Sequence, residues 1–263
     1  MNKAYVRGTF DPFTLKDLDI LKEYLAKGYD FIAVLLKDGE RIGERKAMAN
    51  LLLTSCEIQL GEEAEGEEII DERLDQGLLG KDFLSLSAEQ VDYAVRHCLY
   101  VADLAKRTLS DYRYHHVSCV ADLAAALAEH YGLPYYQGYV AGYLHDITKE
   151  WDKTYHREYI AAKCPEYLEE NEKKYHQYSA RIFAKENLRI TDEDILDAIG
   201  NHVNGTSEKL LSRIVFCSDK IDDSRGFDNT EIKALCFENL PKAYEVIKDR
   251  QKRHLLKKGI VHE

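Results

Sequence analysis

An adjacent histidine and aspartate, His145-Asp146, lie inside the apolar run Ala141-Gly142-Tyr143-Leu144-His145-Asp146-Ile147-Thr148-Lys149-Glu150. An imidazole beside a carboxylate suits a borderline transition metal. The pair is not alone. His116 lies upstream and His176, His202 and Asp219 downstream, each at or near the end of a predicted helix. Six ligands, one of them an aspartate able to bridge, could hold two metals. A nitrogen and oxygen set without thiolate favours iron, with manganese and cobalt as alternatives, over structural zinc.

Helical periodicity dominates the elements that must position these residues. Val117, Val120, Ala121, Ala124 and Leu127 line one face of a helix that Gly132 and Pro134 terminate. Residues Tyr136 to Glu150 read as the helix carrying the His-Asp pair, and His176 to Glu186 as another. Thr191 and Asp194 read as the cap of a helix with Ile195, Leu196 and Ile199 on its apolar face, ending at His202. Leu210, Leu211, Ile214 and Val215 face the core on the helix that delivers Asp219. Two closing helices are predicted, at about Asn229 to Asn239 and Pro241 to Lys258, with Pro241 suited to a first turn.

The first hundred residues have another pattern. Ala4 to Val6 and Asp30 to Leu36 read as strands, with Leu15, Leu18, Leu21, Leu25 and Ala26 at helical spacing between them. Strand, helix, strand implies a parallel sheet. A helix at about Glu44 to Leu53 and a short strand near Cys56 to Leu60 follow. The acidic stretch Gly61 to Asp75 reads as a solvated loop or irregular segment. Ser87 and Gln90 form a capping-box pattern that opens a helix running towards Leu99. The expected domains are therefore 1–100, α/β, and 101–263, all-α.

Composition bounds the partners. The 263 residues are 45% hydrophobic and 32% charged, with a formal net charge of -11. That balance fits a globular chain with a real core. A diffuse acidic surface disfavours nucleic-acid binding but admits an anionic substrate at a metal site. Cys56, Cys98, Cys119, Cys164, Cys217 and Cys236 include no C-x-x-C pair, which fits reduced thiols. Without an apolar run of membrane-spanning length or a signal-peptide pattern, the expected setting is the cytoplasm, with no membrane partner. A homodimer stays open.

The spacing of the ligands resembles the HD superfamily of metal-dependent phosphohydrolases, and more narrowly its YqeK-type branch. Arg113-Tyr114-His115-His116 with Val120 fits R-Y-x-H-x-x-x-V, and Leu144 to Lys149 fits the branch's L-H-D motif. Asp197 to His202 fits the helix bearing the fourth histidine. Phe216 to Arg225 fits F-x-A-D-Y-I-E-P-x-R, with Lys220, Asp222 and Asp223 in place of Tyr, Glu and Pro. Gly259-Ile260-Val261-His262 resembles the closing G-x-x-I-H. The resemblance implies symmetrical hydrolysis of diadenosine tetraphosphate to two ADP. It further implies that His116, His145 and Asp219 hold one metal, that His176 and His202 hold the other, and that Asp146 bridges them. Lys149 and Arg225 would meet the polyphosphate, and Asn204 and the loop from Lys220 to Asp223 would touch substrate. His115 competes with His116 for the first ligand, and Lys149 and Arg225 also read as plain surface charges. His97, His130, His156, His254 and His262 read as caps or partly exposed surface residues.

The opening Gly8-Thr9-Phe10-Asp11-Pro12 resembles that of nucleotidyltransferases acting on nicotinate mononucleotide or phosphopantetheine. Thr14 and Asp17 stand where that family has the two histidines of H-x-G-H. This implies a truncated, degenerate, Rossmann-like domain without adenylyl transfer. Two other readings stand beside the tetraphosphate hydrolase: an HD phosphatase or phosphodiesterase acting on another nucleotide, and a nucleotide-sensing regulator.

Overall fold

A computed structural model describes residues 2–78 and 83–257. The chain forms two compact units that divide between Tyr93 and Ala94, with Asn187–Arg189 belonging to the first.

In the first unit β1 (Lys3–Gly8), β2 (Phe31–Leu36), β3 (Ile58–Leu60) and β4 (Glu67–Glu68) make a parallel sheet in the order β3-β2-β1-β4. Lys3 pairs with Phe31 and Gly8 with Leu36. A parallel strand covered on both faces reads as a continuous apolar run, and β2 is FIAVLL. Helix α1 (Leu15–Ala26) joins β1 to β2, and α2 (Ile42–Asn50) precedes β3. Val6, Phe10, Leu21, Ile32 and Val34 pack in the core. The acidic stretch is not simply a solvated loop. It supplies β4, and Ile69 and Leu74 within it are buried. Helix α3 (Ala88–Arg96) opens on the predicted capping box: Ser87 N donates to Gln90 Oε1 at 3.0 Å, and Gln90 N donates to Ser87 Oγ at 3.2 Å.

The second unit is helical throughout: α4 (Val101–Thr108), α5 (Asp111–His130), α6 (Tyr135–Leu144), α7 (Lys153–Lys163), α8 (Tyr175–Glu186), α9 (Glu193–Asn201), α10 (Leu210–Ile221), α11 (Thr230–Glu238) and α12 (Leu240–Lys257). Helices α5 and α6 meet at backbone distance. A Cβ on Gly138 would lie 2.7 Å from Ala125 Cα, and one on Gly142 would lie 2.8 Å from Ala121 N. Only glycine permits that approach, and it sets His116 of α5 against the end of α6. The His-Asp helix stops at Leu144 rather than Glu150. Beyond it Ile147 N bonds Leu144 O, Lys149 N bonds Asp146 O and Trp151 N bonds Thr148 O, a series of i→i+3 turns. Six residues of apolar spacing do not separate such turns from α-helix. The cap of α9 is Asp192, whose side chain accepts from Asp194 N and Ile195 N, rather than Thr191. Among the described residues no helix is long and apolar enough to cross a membrane, and all six cysteines are free. The closing G-x-x-I-H resemblance and His262 lie outside the described residues.

Candidate metal centre

Six side chains from five helices converge inside the second unit. His116 projects from α5, His145 caps α6, and Asp146 follows in the first turn beyond it. His176 opens α8, His202 caps α9, and Asp219 lies near the end of α10. All six are buried. His116, His145 and Asp146 bring one candidate ligand atom each to within 4.8 Å of one another. So do His145, His202 and Asp219, and so do Asp146, His176 and His202. The carboxylate of Asp146 is divided between two groups. Its Oδ1 lies 3.2 Å from His176 Nε2 and 3.4 Å from His202 Nε2. Its Oδ2 lies 3.8 Å from His145 Nε2 and 3.9 Å from His116 Nε2. Asp219 Oδ1 joins the second group, 3.2 Å from His116 Nε2 and 3.7 Å from His145 Nε2.

An outer layer decides which ring nitrogen faces inward. His145 Nδ1 lies 2.6 Å from Gly142 O, and His202 Nδ1 lies 2.7 Å from Ile199 O. A carbonyl only accepts, so each Nδ1 carries the proton and each Nε2 keeps its lone pair for a ligand role. His116 Nδ1 faces Asp222 Oδ2 at 3.3 Å and Ser224 Oγ at 3.2 Å. His116 Nε2, His145 Nε2 and Asp146 Oδ1 are buried without a hydrogen-bond partner. Orphaned polar atoms are costly inside a protein, and three of them within one cluster fit bound cations. These residues therefore suit a transition metal by donor type and burial, and His145 and His202 also by tautomer.

The charges around the cluster are balanced by four cations. Arg113 Nη1 donates to Asp146 Oδ2 at 2.8 Å. Lys149 Nζ lies 2.8 Å from His176 Nε2. Lys220 Nζ donates to Asp219 Oδ2 at 2.5 Å, and Arg225 Nη2 to Asp219 Oδ1 at 2.8 Å. Burial lowers the pKa of His145 to about 3 and holds His176 well below its ordinary value, so both rings are neutral at pH 7. Burial also opposes protonation of His116, but Asp219 and Asp222 outweigh it and raise the ring to about 9. Burial would raise Asp146; His145 and His176 instead hold it well below the usual carboxylate range. The ammonium of Lys149 is pushed down by burial, against the pull of Asp146.

Comparison with known proteins places this arrangement. Residues 113–224 match the HD domain model. The symmetrical bis(5'-nucleosyl)-tetraphosphatase of Halalkalibacterium halodurans is 32% identical over 131 residues, which is 49% of this chain and 70% of that protein. The enzyme of the same name from Bacillus subtilis is 30% identical over 142 residues, 52% of this chain and 76% of the relative. The chain belongs to the HD-domain hydrolases. A crystal structure described as a predicted HD superfamily hydrolase involved in NAD metabolism, from Clostridium acetobutylicum, superposes with a TM-score of 0.57 at 28% identity. The match covers 62% of this chain and 89% of that one.

Within this HD hydrolase the structure brings Lys149 and Arg225 to the cluster along with all six ligand candidates. Asn204 is placed differently: its Nδ2 donates to Tyr178 OH at 3.1 Å and its backbone N to Gln177 Oε1 at 3.3 Å. His115 sits beside Cys119 Sγ at 3.9 Å, so His116 is the member of that pair that reaches the cluster. His156 is buried, not a surface residue, with Nε2 2.7 Å from Ser179 Oγ. Three residues escaped the sequence reading as parts of the site. Arg113 opens the R-Y-x-H stretch, in which only the histidine marks itself as a ligand. Lys220 and Asp222 stood in a loop assigned to substrate, yet both turn inward, and Asp222 is wholly buried behind His116. The replacement of glutamate by aspartate at 222 was the available signal, because it keeps the carboxylate that a ligand histidine needs behind it.

Proposed function

We propose that this hydrolase cleaves dinucleoside polyphosphates and cuts diadenosine tetraphosphate symmetrically into two ADP. The observation that carries the reading is the divided carboxylate of Asp146 inside a ring of four cations. His116, His145 and Asp219 would hold one metal and His176 and His202 the other, with Asp146 between them. Iron is the proposed metal, with manganese and cobalt as alternatives. Such a pair lowers the pKa of water and draws charge from a phosphate oxygen. The chain's own part is to bind and orient. Arg113, Lys220 and Arg225 now pair with the carboxylates and Lys149 lies against His176, and all four are placed to take phosphate oxygens, the arginines with bidentate geometry. Water adds to a central phosphorus as the oxygen bridging to the far half leaves with ADP. The free thiols fit the cytoplasm as the proposed setting. The names of the two curated relatives support the substrate.

The second reading is an HD phosphatase acting on another nucleotide. Lys220 and Asp223, where the branch has tyrosine and proline, favour it. Chromatography of products from diadenosine tetraphosphate separates the two. Two ADP are expected, and Asp146→Ala abolishes their formation. ATP with AMP overturns the symmetrical assignment, and metal-loaded protein that leaves the substrate intact moves the assignment to the second reading.

A further inference from the structure

Beside the metal centre, on the chain segments that run into and out of it, lies a cavity of about 460 Å³. It is lined by Lys173 and Lys174, by Val203 and Asn204, and by Lys248 and Lys252 of α12. Lys174 is two residues before His176, and Val203 directly follows His202. Gln251 Nε2 donates to Val203 O at 3.1 Å, which ties α12 to this wall. Four ammonium groups around one cavity are notable in a chain of net charge -11. The neighbouring carboxylates leave three of the four without an ion pair among the described residues. Glu172 pairs with Arg157 at 3.2 Å, and Asp249 pairs with Arg253 at 2.7 Å. Only Glu170 pairs with one of the four, Lys174, at 2.9 Å. Lys248 lies over the Tyr244 ring, 5.1 Å from its centroid, and Lys173 and Lys252 form no ion pair among the described residues.

We infer that this cavity is a second phosphate-binding site that takes a nucleoside polyphosphate. Its volume falls in the range of small-ligand pockets. The lysines supply point charges for a phosphate chain, while Val203 and Leu255 offer apolar surface and Asn171, Asn204 and Gln251 offer amides to a nucleoside. The inference goes beyond the metal-site reading and rests on it only for the identity of the substrate. The same chemistry has two sources: the far arm of a dinucleotide held at the metal centre, or a separate nucleotide.

The test is the double variant Lys173→Glu/Lys252→Glu in the full, metal-loaded protein. Both side chains are exposed, so the fold is expected to survive. Isothermal titration with ADP reads the site directly, and hydrolysis of diadenosine tetraphosphate and of bis(p-nitrophenyl) phosphate, a diester with no nucleoside arm, reads the metal centre. If the cavity takes the far arm, the KM for the dinucleotide rises at least about tenfold, on the scale of losing charge-assisted contacts, while turnover of the short diester is unchanged. If it takes a separate nucleotide, ADP binding falls from two sites per chain to one and the dinucleotide KM stays put. ADP binding and dinucleotide KM both unchanged overturn the inference. Should the wild type leave the dinucleotide intact, the metal-site reading fails, and the ADP titration still decides the lysine cavity.

Discussion

His116 reaches the cluster with its back against Asp222, a carboxylate fully out of water that also accepts from Arg225 Nε at 3.1 Å. Such a partner fixes the ring and raises its basicity as a ligand. Asp222→Asn keeps the shape and removes the charge. Metal affinity is expected to fall about ten- to a hundredfold with the fold intact, as read by metal titration beside circular dichroism. Unchanged affinity would make Asp222 a packing residue. Lys149→Ala differs in kind. Metal content by elemental analysis should stay the same, while kcat/KM falls about ten- to a hundredfold, the scale of a charge-assisted contact worth about 1.5–3 kcal/mol. At this scale the sequence was most legible. A histidine or aspartate at a fixed offset in a motif names itself, and all six candidates meet in one place. Asp222, Lys220 and Arg113 were less legible because an ionic residue in a polar loop reads as exposed until the fold shows which way it turns.

Helix periodicity located α5, which buries one stripe and exposes the other, while α8 and α10 are buried over most of their length. It missed β4, a two-residue edge strand whose Glu67 and Glu68 side chains are both exposed and which is held by backbone pairing with Ala4 and Tyr5. No hydrophobic alternation marks such a strand. The contact of α5 with α6 was also hidden, since Gly138 and Gly142 read as mild helix breakers, not as the surface that lets two backbones meet. Gly142→Leu puts a side chain where Ala121 stands and should cost about 1–3 kcal/mol or more. Loss of metal is expected together with a lowered melting temperature, because the two helices carry His116 and His145. A stable variant with full metal content would show that the contact tolerates a side chain. The buried polar chain behind α8 gives a pH dependence. His156 bonds Ser179 Oγ, and Ser179 Oγ lies 2.7 Å from Thr148 Oγ1. Burial lowers the His156 pKa below its ordinary 6.5. On acidification the unfolded chain therefore takes this proton first. Its contribution is complete above about pH 6.5 and is lost as pH falls from there towards the folded value. Denaturant unfolding at several pH values should show a shallower acid slope for His156→Gln than for the wild type, and parallel slopes would remove His156 from the account.

The molecule joins a helical unit with a candidate metal centre to a small parallel sheet, and the sheet's own turn bears on what the whole chain does. After β1, the backbone N–H groups of Thr9 and Phe10 point to one place, the kind of paired donors that hold a phosphate. Here both donate to the carboxylate of Asp75, Thr9 N at 2.7 Å to Oδ2 and Phe10 N to Oδ1. Asp75 N in turn donates to Asp17 Oδ1 at 2.9 Å, and Asp17 Oδ2 accepts from Thr14 N at 2.8 Å and Thr14 Oγ1 at 2.6 Å. Thr14 and Asp17, the residues standing in for the two histidines of the resembled motif, thus brace an internal anion instead of receiving an external one. ATP would have to displace a carboxylate bound by two amides and then face the negative charge of Asp17. The 263-residue chain is expected to release no pyrophosphate from ATP with nicotinate mononucleotide or phosphopantetheine as acceptor, and pyrophosphate above background with either would overturn this reading of the turn. Asp75→Ala removes the internal anion but supplies no catalytic group, so it should not create transfer. It should instead destabilise the first unit, since two charge-assisted hydrogen bonds at about 1.5–3 kcal/mol each are lost and the segment carrying β4 loses its anchor. A thermal melt resolving that unit, with hydrolysis followed in parallel, reads both consequences. The melting temperature falls and dinucleotide cleavage is retained if the sheet is braced by Asp75 and takes no part in the chemistry of the helical unit.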